Sequence, residues 1–107
     1  MKKSGCIAIF TACPTEKEAE RIAGELIKKK LIACANMIRG ARSIFRWKGH
    51  IERTGETLLI MKSLKKNFSR IDRTIRDLHS YEVPEIVSFS IDEVSSDYLK
   101  WIKESVR

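Results

Sequence analysis

Apolar residues fall in short blocks between charged stretches, and their period changes along the chain. Gly5 to Thr11 is an unbroken apolar run, with Cys6, Ile7, Ala8, Ile9 and Phe10, and Pro14 blocks its continuation, so a buried strand is expected. Thr15 and Glu18 have capping-box spacing, in which the hydroxyl accepts a free helix amide and the carboxylate reaches back. A helix should start there, with Ala19, Ile22, Ala23, Leu26 and Ile27 on one face and Lys17, Glu20, Arg21, Glu25 and Lys28 on the other. The run Lys28-Lys29-Lys30 places positive charge at its carbonyl end.

Leu31 to Ile38 predicts a second strand, ended by Arg39-Gly40. Ala41 to Trp47 then alternates like a half-exposed strand. Lys48-Gly49 supplies a turn, and His50 to Arg53 followed by Glu56 to Leu64 returns as the other arm of a long hairpin. Phe68, Ile71, Ile75 and Leu78 form the clearest helical stripe, with Asp72 and Arg76 spaced to pair on the outer face. That helix must end near His79 or Ser80, because Pro84 pushes the chain toward extended geometry. Glu85 to Ile91 reads as a strand, and Ser95 or Ser96 caps a short last helix with Tyr98, Leu99, Trp101 and Ile102 on one face. This order predicts an α+β ferredoxin-like split βαβ sandwich: an antiparallel sheet with two helices on one face. The long β-hairpin and the short C-terminal helix are additions to that plan. A hairpin carrying Phe45 and Trp47 needs something to pack on, so association between chains is expected.

At 107 residues, 1–107 reads as one domain with one modest core. Its hydrophobic fraction of 43% argues against general disorder, and no apolar run is long enough to span a bilayer, so no membrane association is expected. Three cysteines, Cys6, Cys13 and Cys34, make an odd count without a CxxC pair, which favours neither a disulfide framework nor a structural zinc site and makes the cytoplasm the expected compartment. Cys6 and Cys34 should be core, whereas Cys13, beside Pro14, is expected to be the accessible thiol. The net charge of +7 invites a nucleic-acid reading. RNA-recognition domains share this element order but stack bases on aromatics of two central strands, and here the first strand holds only Phe10 and Glu56 to Lys62 holds none. No nucleic-acid partner is expected.

The chemistry concentrates in His79-Ser80-Tyr81-Glu82-Val83-Pro84-Glu85, an imidazole, a phenol and carboxylates between a helix and a strand. Glu82 and Glu85 have no evident nucleophile beside them, so no enzyme is expected. As a metal site, His79 with Cys13, Cys34 and Met37 would offer softer ligands suited to copper.

Thr11-Ala12-Cys13-Pro14, Leu31-Ile32-Ala33-Cys34-Ala35-Asn36, Arg42-Ser43-Ile44-Phe45-Arg46-Trp47-Lys48-Gly49, the His79 to Glu85 segment and Tyr98-Leu99-Lys100-Trp101 occur in an order that resembles the CutA divalent-cation tolerance family. The resemblance implies a PII-like homotrimer, linked to tolerance of divalent metals, with copper or another divalent cation as the expected ion and no organic cofactor. It implies a non-enzymatic binding or signalling role, the alternative being a small-ligand or partner-docking trimer without metal. His79 matches the family's motif histidine and Cys34 a common family cysteine, so these two are the metal candidates. Leu78 and Thr11 stand where proposed copper sites in bacterial members have a second histidine and a cysteine. Asn36, Trp47, Lys62, Tyr81 and Glu85 are the residues expected to line a cleft between subunits.

Overall fold

The computed structural model describes residues 4–107. Its elements are β1 (Cys6–Cys13), α1 (Glu16–Lys28), β2 (Cys34–Trp47), β3 (His50–Leu64), a 3-10 turn (Lys65–Asn67), α2 (Phe68–Leu78), β4 (Val87–Ile91) and α3 (Ser96–Ser105). The sheet is antiparallel in the order β2-β3-β1-β4, as the split βαβ plan requires. Cross-strand partners share a face of the pleat. Ile7, Ile9, Thr11 and Cys13 therefore lie on one face with Ser63, Met61, Leu59 and Thr57 opposite them. α1 and α2 cover this face with Ala19, Ile22, Leu26, Ile71 and Ile75 to form the core. The other face presents Ala8, Phe10 and Ala12 on β1, Val87 and Phe89 on β4, and Ile60 and Lys62 on β3. α3 crosses one end of that face, placed by the Tyr98 hydroxyl 3.3 Å from Cys34 Sγ.

Several boundaries differ from expectation, each for a local reason. α1 closes with Lys29 as its C-cap, the Lys30 N–H donating to Ile27 O and the Leu31 N–H to Leu26 O, both at 3.0 Å. This is a Schellman motif with Lys30, at φ 59, in the left-handed position that usually takes glycine. Leu31 and Ile32 are consequently core residues of the connection, and β2 starts only at Cys34. Arg39-Gly40 does not end that strand. It forms a bulge, with Ile38 opposite Leu58 and Ala41 opposite Glu56, and Gly40 at φ 81 takes the strained geometry. The extra residue moves the open face from Cys34, Asn36 and Ile38 to Ala41, Ser43, Phe45 and Trp47. Lys48 and Gly49 both have positive φ, the signature of a two-residue type I′ hairpin turn. β1 runs on to Cys13 before Pro14 stops it, and β4 begins at Val87, two residues after Glu85.

Candidate functional site

The side chains that converge lie where β1, α1 and α2 meet. Cys13 is the last residue of β1, Glu18 is in the first turn of α1, and His79 is the C-cap of α2. One donor atom from each lies within 4.8 Å of the others. α2 stops at Leu78, and His79 turns to extended geometry (ψ 139) while its N–H still donates to Ile75 O at 2.8 Å. That change of direction drives its imidazole inward, where the side chain is 0% exposed. Nε2 donates to Ala12 O at 2.7 Å, and Nδ1 accepts the Tyr81 N–H at 3.1 Å and stands 3.3 Å from Glu18 Oε2.

Half of the expected capping box forms: the Glu18 N–H donates to Thr15 Oγ1 at 3.1 Å. The Glu18 carboxylate instead turns outward from the helix and accepts the Ser80 N–H at 3.0 Å and the Ser80 hydroxyl at 3.1 Å. Two charge-assisted bonds outweigh one bond back to its own helix. Cys13 is not the accessible thiol expected from its place beside Pro14, because the strand continues through it and it is fully buried. Burial, followed by the carboxylates of Glu18 and Glu56, pushes its thiol up to about 12.

Tyr81 leaves this cluster toward the open face, where its hydroxyl donates to Glu56 Oε2 at 2.7 Å. Burial and that bond raise its phenol well above the ordinary tyrosine range. Its ring lies 4.8 Å from the His79 ring and forms part of a groove of about 870 Å³ between the hairpin and the Ser80–Glu85 segment. Trp47, Tyr81 and Glu85 line that groove. Asn36 and Lys62 do not. They form a second group with Cys34, in which the Lys62 ammonium is 3.3 Å from Asn36 Oδ1 and 4.0 Å from Cys34 Sγ.

Within one chain, His79 and Cys34 are not brought together. Cys34 aligns with Lys62 and Ala8 across the sheet, whereas His79 bonds Ala12, four residues along β1 and so ~13 Å away. Cys34 also faces the open side of the sheet and Cys13 the helix side. Glu18 is the residue that sequence reasoning missed: its capping spacing was visible, but its bonds to Ser80 depend on a contact 62 residues along the chain.

A split βαβ sandwich with a long hairpin and a short C-terminal helix defines a class of small α+β proteins. Within that class the chain belongs to the CutA1 divalent ion tolerance protein family, whose sequence model matches residues 7–105. It is 37% identical over 101 residues to the divalent-cation tolerance protein CutA of Pyrococcus horikoshii, covering 94% of this chain and 98% of that one. It is 35% identical over 97 residues to human protein CutA, of which it spans 54%. The solved structure of the periplasmic divalent cation tolerance protein CutA from Archaeoglobus fulgidus superimposes with a TM-score of 0.93 at 35% identity, covering 95% of this chain and 99% of that one.

These relatives overturn the expectation of a cytoplasmic protein. One is described as periplasmic, and a rice relative is described as chloroplastic. Cysteine parity and the lack of a spanning run report on disulfide chemistry and membrane helices, and neither encodes a compartment. No helix among the described residues is long and apolar enough to cross a membrane.

Proposed function

We propose that this chain is a non-enzymatic, homotrimeric protein that binds a divalent cation through Cys13, Glu18 and His79. The observation that carries the reading is the convergence of one sulfur, one oxygen and one nitrogen donor from three rigid elements within 4.8 Å. A four-coordinate ion with bonds of about 2.0 to 2.3 Å needs ligands roughly 3.3 to 3.8 Å apart, so small rotations of these side chains suffice. The mixed donor set suits zinc or copper better than magnesium or calcium. Burial first, and then the carboxylates of Glu18 and Glu56, disfavour the Cys13 anion, and a bound dication opposes the field of those carboxylates. When bound, the cation would supply the positive charge that keeps Cys13 as a thiolate. Glu18 would contribute an oxygen, and His79 its unprotonated Nδ1.

The support for a binding role over catalysis is also local. The Cys13 thiol and the Tyr81 phenol are both held in their protonated forms near neutral pH. Isothermal titration of Zn(II) and Cu(II) into wild type, His79→Ala and Cys13→Ser checks the site. Wild type should bind one ion per chain, each variant should lose at least about tenfold in affinity, and wild-type affinity should rise about tenfold per pH unit because binding displaces the thiol proton. Equal affinity in all three proteins would place the ion elsewhere.

A further inference from the structure

Both nitrogens of His79 are engaged. Nε2 carries the hydrogen given to Ala12 O, so Nδ1 has the lone pair, and the Tyr81 N–H already donates to it at 3.1 Å. This is the same nitrogen that faces Glu18. One lone pair cannot serve a backbone N–H and a cation at once. We propose that Tyr81 N–H and a divalent cation compete for His79 Nδ1, so that cation occupancy releases Ser80–Glu85 and opens the groove this segment walls. The inference rests on the cation-binding reading above.

The fastenings of the segment explain why one bond matters. Ser80–Glu85 lies between α2 and β4 in neither helix nor strand, and no backbone–backbone hydrogen bond among the described residues holds it. It is held instead through side chains: the two Ser80 donors on Glu18 Oε2, the Tyr81 N–H on His79, the Tyr81 hydroxyl on Glu56, and an exposed contact of 3.9 Å between Lys48 and Glu82. The first three of these bonds end on proposed cation ligands. A cation beside Glu18 Oε2 weakens the Ser80 bonds by repelling their hydrogens, and His79 cannot keep the Tyr81 bond at all. The Tyr81–Glu56 bond and the exposed ion pair keep their full strength beside the weakened Ser80 bonds. The opposite wall, with Phe45, Trp47 and Glu56, stands on the hairpin and is held by its ladder. Opening is therefore one-sided. By reciprocity, a molecule that holds Ser80–Glu85 closed against the hairpin weakens cation binding by the same factor.

The test follows amide exchange at Tyr81, by NMR or by the mass of a peptide spanning residues 79–86, with and without saturating Zn(II) chloride, alongside Zn(II) calorimetry. The Tyr81 amide should exchange at least about tenfold faster with zinc bound. Tyr81→Phe, which removes the bond to Glu56 and keeps the N–H, should bind zinc roughly tenfold more tightly because one fewer bond opposes release. Glu56→Gln weakens the same bond and also removes a carboxylate that raises the Cys13 thiol. If Tyr81→Phe does not fold, the readout for Glu56→Gln is therefore Tyr81 exchange as well as affinity, with the Tyr81 amide exchanging faster than in wild type at equal zinc occupancy. His79-dependent zinc binding with unchanged Tyr81 exchange, or unchanged affinity in these variants, overturns the competition and leaves the cation reading standing. No zinc binding by wild type or either variant overturns both.

Discussion

Thr11 and Cys13 stand two positions apart on the covered face of β1, and both are fully buried. Thr11 Oγ1 has no hydrogen-bond partner, so the native state holds a hydroxyl that water would satisfy after unfolding. Thr11→Val keeps the shape and removes the polar atom, and should raise the unfolding free energy by about 1 kcal/mol in urea titrations. Cys13 acts through pH. Its thiol is raised from 9.0 to about 12, so below pH 9 it is protonated in both states and contributes nothing to the pH dependence. Between pH 9 and 12 the unfolded chain loses this proton while the native chain keeps it, and stability should fall as pH rises. Cys13→Ala should flatten the alkaline fall in urea midpoint, and an unaltered slope would mean that another group causes it. The His79 motif was legible because it falls where a helical period ends. The burial of Cys13 was not, since Pro14 reads as a turn whether the strand stops before or after the cysteine.

Among the elements, the helical stripes and the hairpin were legible because each writes its own period into consecutive residues. Phe68, Ile71, Ile75 and Leu78 became α2, and the pair Asp72 and Arg76 closes at 3.1 Å. The end of α1 was not legible, because three lysines satisfy the helix dipole and hide a cap whose geometry calls for glycine. Lys30 at φ 59 pays a steric cost that its charge does not require. Lys30→Gly should raise the unfolding free energy by about 0.5 to 1 kcal/mol, read from urea or thermal unfolding, while a loss would mean that the lysine makes a compensating contact. The bulge at Arg39-Gly40 was hidden for a related reason. A glycine after a charged residue signals a break in pairing, and only the partner strand shows whether pairing resumes. Here it resumes with the faces exchanged, which brings Phe45 and Trp47 to the open side. The groove exists only because of that exchange. A continuous alternation through Ile38 would have turned both aromatics toward the helix side.

At the scale of the whole molecule, the open side of the sheet is the unresolved demand that the fold creates. Phe89 is 57% exposed, Ile38 46% and Val87 41%, and Phe89 meets Phe10 edge-on at 5.3 Å. α1 and α2 cover the other face, and α3 reaches only the end near Cys34. β2 and β4 are both edge strands. A monomer with this surface would present a contiguous apolar patch beside unpaired strand edges, which argues for association through this face. The proposed trimer supplies it, since a head-to-tail contact closes into a ring without leaving the face bare. Phe89→Glu is a selective probe of this argument. Its side chain is mostly solvent-exposed within one chain, so the fold of the single chain should survive the change. A carboxylate in the middle of an apolar contact is buried without a partner and opposes assembly. Wild type should sediment at three times the 12.3 kDa chain mass, and Phe89→Glu at the single-chain mass with unchanged far-ultraviolet circular dichroism. A wild-type chain that sediments as a monomer would remove the trimer, and would leave the exposed face and the long hairpin in need of a different partner.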